Sequence, residues 1–498
     1  MRKARPRRDA ATRPVSGAAS PVRIGQVLRL DIEDMAFGED AVARHEGYVI
    51  FVPRVLAGET VEARVVQAGR KFGRAEAMRV LVPSPARVTP RCRHFDSCGG
   101  CSWQHLRYDA QTRTKEELLR RLLEGRASAA AASTLVPIAV PGEPWGFREK
   151  VQMAVAGKAG APRVGFYKRR SHDVVDVREC PVQPPEAVAR VARIREVLAR
   201  HRVAPRDGKQ GRGGLRHVVL RQGRGTGDAH LVLVGDGHGP AGLPAAVREI
   251  EGIRPPLSGA SWNRNDADTS EVLGSETRPM FGRSVWVERI AGVELEVSPT
   301  AFFQTNSRAA EVLVEEVRRA VPAERSLRVL DLYAGVGLFA LTLASRVGEV
   351  VAVEAHEVAA RDGERNAVRN RIHNCSWRIG SVERLVADPS LGRFGAVVAD
   401  PPREGLAPGV LEGIVAGCRP RILVLVSCDP MTLARDLVRA EALGGRVVRV
   451  LPVDMFPHTH HLEAVATVEF GAAGKKARAT NRAAAGPRRP GRAVPPAR

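Results

Sequence analysis

Short apolar runs separated by glycine-containing turns fill the N-terminal part of the chain, from Val22 to Val82. The β-rich runs are QVLRLDI, GYVIFV, ETVEARVV and AEAMRVLV. Runs of this length, bounded by turn residues and closely spaced, are typical of a small β-barrel. Three prolines between residues 83 and 90 then form a linker. The pattern therefore predicts a barrel over residues 21–83.

The middle of the chain changes to a mixed pattern. Tyr108 to Glu124 has leucines at helical spacing and predicts a helix, whereas Trp145 to Val293 mixes strand-like and helix-like periods. Asn263 to Glu276 has the composition of an irregular loop. Residues 90–295 are accordingly predicted to form a central α+β domain.

Strand and helix patterns alternate in the C-terminal part. Arg328 to Leu341 reads strand, glycine turn and helix, and Val350 to Glu354 is a second strand that ends in an acid. Two later apolar runs, Phe394 to Ala399 and Ile422 to Val426, predict strands buried on both faces. This alternation predicts a Rossmann-like domain over residues 296–470, and a multidomain α/β protein as a whole.

Cys428 directly follows the last of these strands, and Pro430 prevents that strand from continuing. Ligands bind at the carboxyl edge of parallel sheets, so a cysteine here is a candidate nucleophile. The N-terminus of the helix predicted to follow would favour the thiolate form. A small buried core cysteine is the alternative interpretation.

Charge is concentrated at the two ends of the chain. The net charge is +22; residues 1–20 carry +5 and residues 471–498 carry +8, which leaves +9 for the rest. Both ends are predicted to be disordered basic tails that attract phosphates without sequence preference. No segment has the apolar length of a membrane span or of a signal-peptide core, so we expect a cytoplasmic protein that does not bind membranes.

Seven cysteines are present, and four of them form a candidate metal site. Cys92, Cys98 and Cys101 lie in a C-x5-C-G-G-C pattern, and Cys180 precedes a proline. The two glycines permit a tight turn, so three sulfurs can converge with Cys180 as a fourth ligand. An iron–sulfur cluster and a zinc ion both remain open on this spacing, as do unligated thiols.

Taken together, these motifs resemble those of the RNA uracil-5-methyltransferases, in particular the cluster-containing branch that acts on 23S ribosomal RNA. The resemblance spans residues 22–470 and includes the N-terminal barrel, which is similar to the OB-like TRAM domain. Its most specific parts are the four cysteines and these motifs: Phe302 to Asn306, the Asp331 loop, Asp400-Pro401-Pro402-Arg403, Ser427 to Pro430, and Asp454 to Glu463.

The resemblance implies a mechanism and its residues. Cys428 would add to carbon-6 of uracil, the resulting enolate would take a methyl group from S-adenosylmethionine, and Glu463 would remove the carbon-5 proton. Asp400 and Arg403 would orient the base and stabilise charge. The cofactor positions implied are Gln304, Asp331, Tyr333, Gly335, Gly337, Glu354 and Asp400. The four cysteines would hold a 4Fe-4S cluster rather than zinc.

Two positions depart from the family pattern. Leu338 stands where the family often has asparagine, and the acid usual on the adenine side is displaced or replaced near Ser381 and Glu383. Both departures concern cofactor affinity rather than reaction type.

Three hypotheses follow: a 23S rRNA methyltransferase, a tRNA methyltransferase, and an RNA-binding or assembly protein that has lost activity. RNA, most directly 23S rRNA, is the expected partner. We expect a monomer that needs no obligate protein partner.

Overall fold

The computed structural model describes residues 20–206, 213–269 and 271–471. The predicted basic tails lie outside these ranges, except for their innermost residues, Ser20 and Gly471. The chain divides into two compact units, Met1–Val88 and Thr89–Arg498, which are described separately.

The first unit is a closed barrel with strand order β1-β2-β3-β5-β4, which confirms the predicted barrel. Alternate residues of β1 are buried, as expected for strands that pack on a barrel interior. The sequence pattern missed β2, whose buried Asp40 forms an ion pair with Arg74 instead of an apolar contact. The strands are β1 (Val27–Met35), β2 (Asp40–His45), β3 (Tyr48–Pro53), β4 (Thr60–Ala68) and β5 (Phe72–Val82).

The second unit begins with the cysteine-rich loop and two helices, and continues into a seven-stranded sheet of order β12-β11-β10-β9-β6-β7-β8. The predicted mixed α+β character is confirmed, and the ends of the predicted loop at 263–276 belong to β11 and β12. The elements are α1 (Tyr108–Arg126), α2 (Ala129–Ser133), β6 (Lys150–Lys158), β7 (Ala161–Tyr167), β8 (Val174–Asp176), α3 (Pro185–Arg200), β9 (Leu215–Gln222), β10 (Ala229–Gly235), α4 (Leu243–Ile250), β11 (Gly259–Arg264) and β12 (Glu276–Gly282).

The remainder of this unit is a doubly wound sheet of order β17-β16-β15-β18-β19-β21-β20, preceded by the β13-β14 hairpin. Its elements are β13 (Trp286–Ile290), β14 (Val293–Val297), α5 (Ser307–Ala320), β15 (Arg328–Leu332), α6 (Leu338–Ala344), β16 (Glu349–Glu354), α7 (Glu357–Arg369), β17 (Cys375–Ile379), α8 (Val382–Val386), β18 (Ala396–Ala399), α9 (Val410–Gly413), β19 (Ile422–Ser427), α10 (Pro430–Ala442), β20 (Arg446–Val453) and β21 (Glu463–Glu469).

Neighbouring strands from β15 to β19 pair in parallel, whereas β21 runs antiparallel to both β19 and β20. Apolar side chains pack on both faces of this sheet. Because β18 and β19 are buried on both faces, they are almost continuously apolar, as the sequence predicted.

Helices α1 and α2 belong to the packing of this C-terminal sheet. Leu119, Leu123 and Ala131 lie in the same core cluster as strands β18, β19 and β21, and Leu135 bridges to Val450 of β20. This part of the predicted central domain therefore contributes to the C-terminal core. No helix among the described residues is long and apolar enough to cross a membrane.

Candidate active site

The candidate catalytic side chains converge because of the strand directions in the C-terminal sheet. Asp400 follows β18 and Cys428 follows β19, and these two strands are parallel neighbours. Glu463 begins β21, whose antiparallel register pairs Ala464 with Ser427. The ends of β18 and β19 and the start of β21 therefore meet at the carboxyl edge of the sheet, where α/β proteins bind ligands.

Two carboxyl groups at this edge perturb each other. Glu463 is 3% exposed, and burial raises its pKa well above the ordinary value, with a further increase from the charge of Asp400. Burial also raises the pKa of Asp400 to about 7. Because two close carboxyl groups in a dry site do not both ionise readily, the pair retains a proton at neutral pH.

Cys428 is a thiol in this environment, so the predicted thiolate is wrong for the free site. Burial and the charges of Glu463 and Asp400 raise its pKa to about 11, against the opposing charge of Arg403. The N-terminus of α10 does lie beside it, but Asp429 caps that helix by accepting hydrogen bonds from the backbone N–H groups of Met431 and Thr432. Two helix donors are thus already satisfied by a carboxylate.

Gln304 and Arg403 complete the group. The Gln304 amide Nε2 donates to Asp400 Oδ2 at 3.5 Å, so the segment before α5 reaches the end of β18. Arg403 is exposed, and its charge lowers the pKa of both Cys428 and Glu463. The four predicted catalytic residues therefore occupy one site, with one cation facing two carboxyl groups and a thiol.

The glycine loop between β15 and α6 forms a second part of the site. Gly335 has φ +54° and open space where a Cβ would lie, and its N–H donates to Glu354 Oε2 at 2.8 Å. Gly337 has φ +95°, and a Cβ there would meet Trp377 at 2.9 Å. Glycine is thus required for backbone shape at both positions, and the loop leaves room beside the Glu354 carboxylate.

Buried polar atoms around this loop have no protein partner within the described residues. Asp331 is fully buried; its Oδ2 accepts from the backbone N–H of Ala340, while Oδ1 has no partner. The Tyr333 hydroxyl is also unpartnered, and burial together with Glu383 and Asp436 raises its pKa to about 12. Unsatisfied buried groups at a strand edge are what a ligand with polar groups would satisfy.

The two departures from the family pattern have local explanations. Leu338 is 7% exposed and packs in the core cluster on one face of the sheet. The Ser381 hydroxyl accepts from the backbone N–H of Arg384 and caps α8, whereas Glu383 is exposed in the first turn of that helix. A ligand could therefore reach Glu383 without displacing a cap.

The four predicted metal ligands also converge. Cys92, Cys98, Cys101 and Cys180 line one cavity together with Gln104 and Arg148. Gly99 donates its N–H to the Tyr167 carbonyl, and a Cβ there would lie 3.0 Å from that oxygen, so the two backbone segments approach closely at this glycine. Within the described residues, no three or more His, Cys, Asp or Glu side chains are arranged to hold a single metal ion.

The thiols that line this cavity are neutral when they carry no metal. Burial, together with the neighbouring cysteines, raises the pKa of Cys101 to about 11 and that of Cys180 to about 12. Thiolates are stable in such a place only when they are bound to metal. The iron–sulfur assignment of these four cysteines stays a prediction.

A buried polar network that the sequence reasoning missed holds the loop before Glu463. Lys115 Nζ lies 2.6 Å from Asp454 Oδ1, with both side chains at most 1% exposed, and Tyr108 donates to Asp454 Oδ2 at 2.7 Å. Gln111 Oε1 accepts from the His458 N–H at 2.9 Å. The signal in the sequence was a lysine on the leucine-bearing face of the predicted helix, where an unpaired charge is not expected.

Comparison with known proteins gives consistent matches to both units. Residues 21–78 match the TRAM domain, and residues 290–469 match the tRNA (uracil-5-)-methyltransferase family. The chain is 33% identical over 458 residues to an uncharacterized RNA methyltransferase of Halalkalibacterium halodurans, covering 92% of this chain and all of the relative. It is 35% identical to another from Gloeobacter violaceus, covering 89% of this chain and 97% of that relative.

A solved structure is similar over most of the chain. The tRNA (uracil-54, C5)-methyltransferase of Pyrococcus abyssi, crystallised with S-adenosyl-L-homocysteine, aligns with a TM-score of 0.72 and 28% identity. The alignment covers 88% of this chain and 99% of the Pyrococcus chain.

Proposed function

Because the chain belongs to the S-adenosylmethionine-dependent RNA uracil-5-methyltransferase family, we propose that it methylates carbon-5 of one uridine in 23S rRNA. The observation that supports the methylation reaction most directly is the convergence of Cys428, Asp400, Glu463 and Arg403 at one sheet edge. That set supplies a nucleophile, a base and a cation for an anionic intermediate. It also disfavours the hypothesis of an inactive binding protein.

In this mechanism Cys428 Sγ bonds to carbon-6 of the uracil. Its proton leaves to the ionised carboxylate of the Asp400–Glu463 pair and from there to water, because the thiol has a high pKa and Glu463 must be ionised for the later step. Negative charge develops on the uracil enolate, and the Arg403 guanidinium stabilises it. The target base must leave its stack to reach this site.

S-adenosylmethionine would supply the electrophilic methyl group. Glu354 and the backbone at Gly335 would hold its ribose end, and Tyr333, Gly337, Gln304 and Asp331 would line or shape the site around it. After methylation, Glu463 takes the carbon-5 proton, the carbon-5 to carbon-6 double bond re-forms, and Cys428 is expelled.

We further propose that the four cysteines hold a 4Fe-4S cluster with a structural role, since all four ligand positions would be occupied by protein. Iron and acid-labile sulfide should be present in protein purified without oxygen, at about four of each per chain as the cluster type requires. If about one zinc ion per chain were found instead, the site would be a zinc site and the cluster assignment would be wrong.

A tRNA substrate is the second candidate, and the similarity to the Pyrococcus enzyme favours it. The discriminating experiment incubates the protein with methyl-labelled S-adenosylmethionine and unmodified 23S rRNA or tRNA, and then separates the nucleosides. Label in 5-methyluridine from rRNA alone supports the proposal. Label in 5-methyluridine from tRNA alone would mean that tRNA, and not 23S rRNA, is the substrate.

Two variants test the chemistry in the same assay. Cys428→Ala should give no label and no covalent complex. Glu463→Gln should accumulate a covalent protein–RNA complex on a denaturing gel, because carbon-6 addition proceeds while removal of the carbon-5 proton does not. A Cys428→Ala protein that still methylates would contradict the mechanism.

A further inference from the structure

Two basic side chains lie together on one face of the central sheet. Lys150 opens β6 and pairs directly with Arg221 of β9 in the antiparallel register, so the two side chains share a face. Val151 and Leu220, next to them in sequence, point to the opposite face and join the core under α3 and α4. Arg148 lies two residues before Lys150 and close enough to lower its pKa.

Of the three cations, Lys150 is the one without an acidic group nearby, since Arg221 has the Asp362 carboxylate in its surroundings and Arg148 borders Cys101. Within the described residues, the Lys150 ammonium forms no hydrogen bond or ion pair, although Lys150 is only partly exposed. Arg221 is 2% exposed; it donates to backbone carbonyls, among them that of Ala301, and its Nε has no partner. The Nε of Arg148 is likewise buried without a partner. A largely buried charge without a partner is costly, so an anion bound beside the Lys150 ammonium would be stabilising.

The electrostatics of Lys150 agree with this geometry. Burial, with the charges of Arg221 and Arg148, lowers its pKa to about 7, and no acidic group opposes this. For comparison, the buried Lys115 has Asp454 at 2.6 Å. An anion bound beside Lys150 would restore its charged form.

These basic side chains adjoin the catalytic segment. Arg221 donates to the Ala301 carbonyl at 2.6 Å, and the N–H of Glu149, next to Lys150, donates to the Thr305 carbonyl at 2.8 Å. Gln304, between these two anchors, contacts Asp400. An anion bound by Lys150 would therefore lie next to the segment Ala301 to Thr305, which reaches the candidate active site.

We propose that Lys150, supported by Arg148 and Arg221, binds a phosphodiester of the RNA strand beside the target uridine. This inference rests on the proposed function, in which a uridine must be extruded from its stack. An extruded nucleotide needs its backbone held, and phosphate contacts fix the position of a strand without reading its sequence. A lysine ammonium is a compact charge suited to one phosphate.

The test compares Lys150→Gln with Lys158→Gln, a matched control at the exposed end of the same strand, and with Lys150→Arg, which keeps the charge. Binding to the unmodified 23S rRNA transcript, or to the tRNA transcript if that RNA is the one methylated, is measured at several salt concentrations. Lys150→Gln should weaken binding roughly tenfold to a hundredfold, as for loss of a charged hydrogen bond.

The salt dependence gives a second readout. The slope of log affinity against log salt should become less steep by about 0.7 to 0.9 in Lys150→Gln, which corresponds to one phosphate contact. It should be unchanged in Lys150→Arg and Lys158→Gln. Affinity for S-adenosylmethionine should not change, and the unfolding temperature of Lys150→Gln should equal or exceed that of the wild type, because repulsion among cations is relieved.

Three results would overturn the inference. Equal RNA affinity and slope in Lys150→Gln and Lys158→Gln would exclude a phosphate contact. If Lys150→Gln lost affinity for S-adenosylmethionine while the salt slope of RNA binding stayed unchanged, the anion bound by Lys150 would be the carboxylate of the cofactor. If Lys150→Gln had a lowered unfolding temperature and a proportionate loss of RNA binding, the role of Lys150 would be to stabilise the fold. Failure of the wild type to methylate any RNA would instead contradict the proposed function, while the salt slopes would still report on Lys150.

Discussion

The protonation state of Cys428 gives the sharpest prediction about the candidate active site. Burial, Glu463 and Asp400 raise its pKa from 9.0 to about 11. Each pKa unit changes the thiolate fraction tenfold at a pH below both values, so Cys428 in the free enzyme should react about 100-fold more slowly at pH 8 than an unperturbed thiol. Iodoacetamide alkylation of the Cys428 peptide, quantified by mass spectrometry across a pH series without RNA, measures this directly.

The cause of the shift is testable with two substitutions. In Glu463→Gln the carboxylate is gone at the high pH where Cys428 titrates, so the alkylation midpoint should move to lower pH. In Arg403→Gln the opposing cation is gone, and the midpoint should move to higher pH. A wild-type midpoint at or below 9.0, or shifts in the reverse directions, would refute the burial and charge argument and restore the thiolate assignment.

Four further predictions concern the surroundings of the site. Lys115→Met should lower the free energy of unfolding by about 3–5 kcal/mol in chemical denaturation because it leaves Asp454 buried and unpaired, and Asp454→Asn in the same chain should recover part of that loss. Single-turnover methylation should rise with pH through about 7 as the Asp400–Glu463 pair ionises, and Asp400→Asn should move that midpoint to lower pH; a pH-independent rate would contradict the pairing. Cys98→Ala should reduce iron content, thermal stability and RNA binding together, and full stability with selective loss of chemistry would contradict a structural cluster. Deleting residues 471–498 should flatten the salt dependence of RNA binding without changing which uridine is methylated, as nucleoside mapping would show.

Much of the fold follows from hydrophobic periodicity. The strands under the catalytic edge are almost continuously apolar because helices cover both faces, and such runs are recognisable in a sequence. The short strand β2 was not recognised, since Asp40 fills a buried position there through its ion pair with Arg74. Likewise, the leucines of α1 indicate a helix but cannot indicate that it packs on the C-terminal sheet rather than on the central one.

The candidate active site was also predictable only in part. The order of the motifs was enough to predict that Asp400, Cys428 and Glu463 lie at one edge of the sheet. The direction of each strand determines at which edge the residues that flank it are placed. The protonation of Cys428 was not predictable, since it depends on burial and on two carboxyl groups that are distant in sequence. Lys150 was missed for the same reason: the absence of an acidic neighbour is a property of the folded chain alone.

The cysteine-rich loop and the loop that leads to the candidate base form one hydrogen-bonded structure. The N–H groups of Ser102 and Trp103, which directly follow Cys101, both donate to the His458 carbonyl, at 3.0 and 2.9 Å. His458 lies five residues before Glu463, which begins its strand only after this loop has turned. Disorder in the cysteine loop would therefore release the support of the segment that carries the proposed base. A proposed cluster at these cysteines can thus be essential to methylation while taking no part in the chemistry, which is why stability and iron content, measured alongside activity, are the informative readouts.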